Sequence, residues 1–344
     1  MVFTKDKRRI GEYLSLFAAI FLIGLIISKP DLCSSGAATG LKICADIIIP
    51  SLFPFTVPVL FLINSNAFIK CKRKFLYIFL LSMLGGYPIG AKMLSDLNGK
   101  DPAYKEHIKK ALPYFVNAGP AFIVIAVGKG ILKSVKIGYM LLAAHCIASI
   151  ICALIFIPRI IIMNRKNDNE ISGISAADNF VLSVKNASGA VLSICSYVVI
   201  FSVINKYLIS FCGSFGAIKP LIYVTEITTA VNSTKNIYLI SFLLGFSGFS
   251  VIAQVYSVAG NVKAPLFKFI AVRTMHGILS AILMKVFLNL FNVTVTAMSA
   301  GTNGINTPAV NDGALGFSLA IMALLFIINV SSKKFSGNIV KDVL

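Results

Sequence analysis

Long apolar runs separated by short polar stretches dominate the chain: Ile10 to Ser28, Leu41 to Asn64, Phe75 to Leu97, Lys136 to Ile157, Phe180 to Leu208, Ile237 to Gly260, Leu266 to Phe291 and Leu315 to Val330. Each comes close to the roughly 20 residues a helix needs to cross a hydrocarbon core. The pattern predicts an all-α, polytopic integral membrane protein with about eight transmembrane helices. Two further segments, Pro113 to Gly128 and Pro220 to Thr234, are shorter and open on proline. Their middles carry Asn117, Gly119 and Pro120 in one, and Glu226, Thr228 and Thr229 in the other. Such interruptions in an apolar segment predict two re-entrant hairpins.

The polar stretch 164–178 divides the chain into an N-terminal membrane half, 1–163, and a C-terminal half, 179–344. The first half is led by a signal-anchor helix behind Lys5, Lys7, Arg8 and Arg9. Sliding one half along the other sets 80–97 over 242–259, pairing Gly86 with Gly248, and sets 143–156 over 274–287, bringing His145 onto His276. It also sets Leu41 to Asn64 over Leu182 to Asn205. The common order of the three matches predicts an internal repeat. On a basic-inside topology the third pair runs in opposite directions, so the repeats are inverted, an arrangement that puts a solute site at the midplane.

Composition agrees with a membrane chain: 57% of residues are hydrophobic and 13% charged, against roughly 25% charged in a soluble domain. The net charge of +19 sits mostly in loops between apolar runs, which suits lipid headgroups and topology rather than nucleic acid. Lys100, Lys105, Lys109, Lys110, Lys129, Lys133 and Lys136 flank the first re-entrant candidate and are predicted on the outer face, where basic residues are unusual. The seven cysteines form no CxxC pair, so neither a disulfide framework nor a metal site is expected. No HExxH, Walker or GxGxxG motif occurs, so no cofactor is expected. Gly245 to Gly248 reads GFSG and His276 follows, as in a membrane serine protease, but the two fall on consecutive spans. An enzyme is not expected.

The chemistry is predicted at the interruptions. Gly86, Tyr87 and Pro88 fall inside an apolar run, where a helix resuming after Pro88 points free N–H groups into the bilayer, a site for an anion, with Lys92 one turn on. Ser247, Gly248, Ser250 and Gln254 lie opposite in the alignment and supply neutral hydrogen bonds. Asn117, Gly119 and Pro120 combine a bend with an amide, and Glu226 with Thr228 places a carboxylate at depth, by default functional. His145 and His276 are read mainly as packing groups. Asp46, Arg273 and Lys285 are read as snorkelling from span ends.

At GGYPIGAK (85–92), NAGPAFI (117–123), the EIT of 226–228 and GFSGFSVIAQ (245–254), the sequence resembles the YlbJ-like sporulation integral membrane proteins, which carry nucleoside-recognition (Gate) regions. The likeness runs roughly from Leu41 to Val330. After Thr228 the chain departs from the family pattern, with Thr229 and Ala230 in place of Asn-Gly. The resemblance implies a protein of the plasma membrane of endospore formers, in the mother-cell-derived outer forespore membrane, that moves dipicolinic acid. With the residues, it gives the expectation of an alternating-access transporter of a small anionic solute. The alternatives are a nucleoside or nucleobase carrier, and a non-transporting scaffold for other sporulation membrane proteins.

Overall fold

The computed structural model describes residues 2–65, 73–163, 175–212, 219–234 and 236–291, which are helical with short connections. The apolar run Leu315 to Val330 lies outside the described residues. Five helical stretches are long and apolar enough to cross a membrane: Pro30–Ile63, Val135–Phe156, Ala176–Phe211, Ile237–Val262 and Leu266–Leu290. Helix α1 (Val2–Ser28) leads into α2 (Pro30–Ile63), which begins well before the predicted Leu41. Asp46 therefore lies mid-helix, exposed, in a π turn over Cys44–Ile48, and not near a span end.

The predicted straight span Phe75 to Leu97 is instead a hairpin. Helix α3 (Lys74–Gly85) stops at Gly86, whose φ of 88° and ψ of 179° suit glycine alone, and α4 (Tyr87–Lys100) restarts with Pro88 in its first turn, where no backbone donor is needed. The arms fold back on one another: a Cβ on Gly90 would come 2.6 Å from the Ser82 Cβ. At the open end the Phe75 and Tyr104 rings meet edge to face at 5.7 Å. Each arm of 12 or 14 residues reaches about 18–21 Å, too short to cross alone.

The first predicted re-entrant segment does the opposite. After α5 (Lys105–Ala111) the chain is irregular through Asn117–Gly119 and then winds as a wide π-type helix, α6 (Ala121–Ile131). The segment runs antiparallel to α7 (Val135–Phe156) along its whole length. Tyr114 stacks near Phe156 at one end, Ser149 Oγ donates to Asn117 Oδ1 at 2.8 Å in the middle, and Gly128 lies against Gly138 at the other. A glycine pair is what lets these backbones touch, since a Cβ on Gly128 would meet the Gly138 Cα at 2.6 Å. The exchange of roles also moves Lys100, Lys105, Lys109 and Lys110 to the end of the molecule that holds Arg73 and Lys74, which removes most of the charge conflict.

The short α8 (Pro158–Ile161) follows α7, and the second half opens with α9 (Ala176–Cys212), antiparallel to α2. Gly36 lies against Val203, Gly40 against Val199, Cys44 Sγ against the Cys195 carbonyl, and Asn179 Nδ2 donates to the Phe61 carbonyl. Two seven-residue helices, α10 (Lys219–Thr225) and α11 (Ile227–Ser233), pack together about Glu226. Then α12 (Ile237–Phe246) and α13 (Gly248–Ala259) form one kinked path along α14 (Leu266–Leu290). Ser241 bonds Ser280 at 2.9 Å, Gly245 touches Gly277, Ser247 meets Arg273, and the Tyr256 and Phe269 rings meet at 5.5 Å. Since 80–97 is a hairpin and 242–259 is not, the alignment that paired them does not hold. The other two pairings join helices that touch: α2 with α9, and α7 with α14, where His145 and His276 lie 4.6 Å apart.

The hairpin gives a direct test. Cysteines at Phe75 and Tyr104, in a background without the natural cysteines, should be bridged efficiently by a short bis-maleimide, each thiol adding across one maleimide double bond. A straight helix would hold these positions about 40 Å apart and give no product on a gel.

Candidate functional site

Four interruptions converge in pairs. In the first half the tip at Gly86 lies against the irregular stretch at Gly119: a Cβ there would meet the Leu84 carbonyl oxygen at 2.9 Å and Gly86 N at 3.1 Å. In the second half Gly248, with φ of 80°, lies against the turn around Glu226, and its Cβ would meet the Val224 carbonyl oxygen at 3.2 Å and Ile227 N at 3.5 Å. Each tip thus crosses the broken part of a neighbouring segment, and only glycine at the crossing allows the approach.

Between the pairs lies a cavity of about 50 Å³. Gly86, Tyr87 and Pro88 of the tip, Gly119, Glu226 with Thr228, and Gln254 of α13 line it together with Thr56 and an apolar wall from α2 and α9, including Leu52, Phe55, Ile194 and Val198. The N-termini of α4 and α6 open on it, bringing positive dipole ends to one place. A space of this size has room for a few waters.

Glu226 is buried and its carboxylate is engaged: Oε1 accepts the Thr228 N–H at 2.9 Å and Oε2 the Thr229 N–H at 2.6 Å. It caps α11, where the dipole favours its charge. Tyr87 donates its hydroxyl to the Leu244 carbonyl at 3.0 Å, tying the first tip to α12. Gln254 Nε2 lies 3.4 Å from Ser250 Oγ, which is buried just behind the lining.

Other predicted residues stand outside the cavity. Lys92 is exposed and pairs with Asp96 one turn along α4. Asn117 is fully buried but committed, its Nδ2 donating to Ser82 Oγ at 3.0 Å while its Oδ1 accepts from Ser149. It fastens the first break to α3 and α7. Pro120 opens α6. Ser247 sits at the kink with φ of 83°, rare for a residue with a Cβ. The two histidines are packed and bonded, with the Ala118 N–H donating to His145 Nε2 and His276 Nε2 donating to the His145 carbonyl, each at 3.0 Å.

The sequence reading missed Arg273. It lies one to two turns into α14, where snorkelling was expected, yet it is fully buried in the interior. Its only hint was that it is the one arginine of a largely apolar 25-residue helix, where Lys268 and Lys285 stand nearer the ends. The wall from α2 and α9 also carried no signal, since apolar lining residues look the same as lipid-facing ones.

Broken segments around a hollow, within helices long enough to cross a bilayer, define a polytopic integral membrane protein. The chain is similar to a sporulation integral membrane protein, YlbJ of Bacillus subtilis (strain 168), with 22% identity over 327 residues that cover 76% of this chain and 79% of the relative. That similarity supports a YlbJ-like family assignment. No protein-family model matches the chain, and no solved structure matches it.

Proposed function

We propose that this protein carries a small organic anion across the membrane during sporulation by alternating access, with dipicolinate the favoured solute. The observation that carries the reading is the meeting of both interrupted pairs at one cavity, onto which two helix N-termini open. Interrupted backbone in a membrane protein is tolerated where it is buried or lines a polar space, and free N–H groups at a helix start favour carboxylates. Both tips line the cavity, so on this reading movement of a tip admits and releases the solute.

The two halves read as inverted repeats in a revised register. Each has a long helix (α2, α9), a tip (Gly86, Glu226), a broken segment (112–131, 237–259) and a second long helix (α7, α14). Equivalent long helices meet antiparallel, as a two-fold axis in the membrane plane requires. On this reading the two tips are the moving parts on opposite sides. The outer forespore membrane remains the location favoured by the family likeness.

The test is uptake of labelled dipicolinate against uridine by the full chain in proteoliposomes. Dipicolinate uptake supports the proposal. Uptake of uridine alone would favour a nucleoside carrier, a reading that the neutral groups Thr56, Thr228 and Gln254 in the lining make worth the comparison. Uptake of neither would favour a scaffold. Lys92→Ala should leave uptake within about two-fold, because an exposed i,i+4 pair contributes only about 0.3–0.5 kcal/mol and stands away from the cavity.

A further inference from the structure

Arg273 is the largest fully buried side chain among the described residues. Its Nη2 donates to Ser247 Oγ at 2.8 Å, its Nη1 reaches the Pro113 carbonyl at 3.5 Å, and its Nε has no partner. No carboxylate of the described residues pairs with it, whereas Lys92 pairs with Asp96 and Lys109 with Glu106. The one buried carboxylate near the cavity, Glu226, is held by the backbone of α11. A guanidinium in a membrane interior is costly, and evolution usually spends that cost on a function or an ion pair. Here the pair is missing.

Its placement says which function. The two protein groups it contacts belong to the two broken segments, Pro113 at the start of one and Ser247 at the kink of the other. Ser247 lies one turn beyond Leu244, whose carbonyl receives the hydroxyl of Tyr87, and Tyr87 lines the cavity. The positive charge therefore stands behind the lining, in low dielectric, where screening is weak.

We propose that Arg273 is the fixed counter-charge that makes the cavity select a negatively charged solute, acting through the Ser247 and Tyr87 layer and not by contact. This rests on the transport reading above and deepens it. Arg273 is a positioning residue in this scheme, and its signature is a change in charge preference rather than a general loss.

Full-length protein in proteoliposomes is assayed for uptake of labelled dipicolinate and labelled uridine, and in detergent for the thermal shift each solute produces. Arg273→Gln should lower the dipicolinate-to-uridine ratio about ten-fold or more, while Arg273→Lys should keep it within about three-fold. Ser247→Asp, which sets a carboxylate against the guanidinium without removing it, should lower the ratio as Arg273→Gln does and serves if that variant does not fold. Gly99→Ala, where nothing lies within 4 Å of the added methyl, should leave the ratio unchanged. Equal losses for both solutes, or an unchanged ratio in Arg273→Gln and Ser247→Asp, would overturn the proposal and leave the transport reading standing. If the native chain takes up neither solute, the transport reading fails. The thermal shift then decides: a dipicolinate shift lost in Arg273→Gln upholds the counter-charge, and no shift in the native chain, or an equal shift in the variant, refutes it.

Discussion

If the protein is the transporter proposed, Glu226→Ala should lower uptake about ten-fold or more and reduce the melting midpoint of the purified protein. The carboxylate is buried and holds two N–H groups at the start of α11, so truncation strands both donors where water is scarce. Each stranded donor costs about 1–3 kcal/mol and the lost cap is part of the same account. The seven-residue α11 has little else to hold its first turn, and the Glu226 turn is what Gly248 packs against. Glu226→Gln removes one acceptor and turns an amide donor toward an N–H, so it should fall close to the alanine variant. Glu226→Asp keeps two oxygens and a good capping geometry and should retain a measurable fraction of uptake. Uptake by Glu226→Ala equal to the native chain, at equal protein in the vesicles, would show that this tip has no part in transport.

How far the chain could be read in advance depends on which physical signal each element carries. Helices α7, α9 and α14 appear at nearly their predicted bounds, because twenty or more apolar residues without a breaker have one outcome in lipid. Gly86 and Pro88 marked a break correctly, since their backbone demands are local. Whether the chain continues or turns back after such a break is not local. It depended on Ser82 meeting Gly90, on Phe115 packing against Phe79, and on Asn117 reaching both Ser82 and Ser149, contacts between residues up to 36 positions apart. Hydropathy therefore read 75–97 as one straight span, where the chain turns back at Gly86.

The same reasoning explains the site. Gly86, Gly119 and Glu226 were legible because a breaker or a charge in an apolar run stands out, and they do line one cavity. Lys92 stood out equally, but Asp96 one turn away gave it a surface partner. Arg273 was discounted because its distance from the helix end allowed snorkelling. Only the packing of α14 between α7 and the α12–α13 path shows that no route to the interface is left.

Gly119→Ala tests the crossing of tip and break with the smallest possible change. Gly119 has an ordinary backbone conformation, so alanine brings no torsional penalty and the effect is steric alone. The added Cβ meets backbone atoms, the Leu84 carbonyl oxygen and Gly86 N, which cannot swing aside as a side chain can. Forcing them apart costs about 1–3 kcal/mol and lifts the Gly86 tip from the cavity wall. Uptake should fall about ten-fold, and further in Gly119→Val, with a lower melting midpoint in both. Gly99→Ala is the control, because nothing lies within 4 Å of the new methyl and alanine suits the helix interior better. It should match the native chain or exceed its stability slightly. A Gly119→Ala protein as active as the native one would mean that the tip does not need the broken segment beneath it, and the cavity between them would lose its mechanical basis.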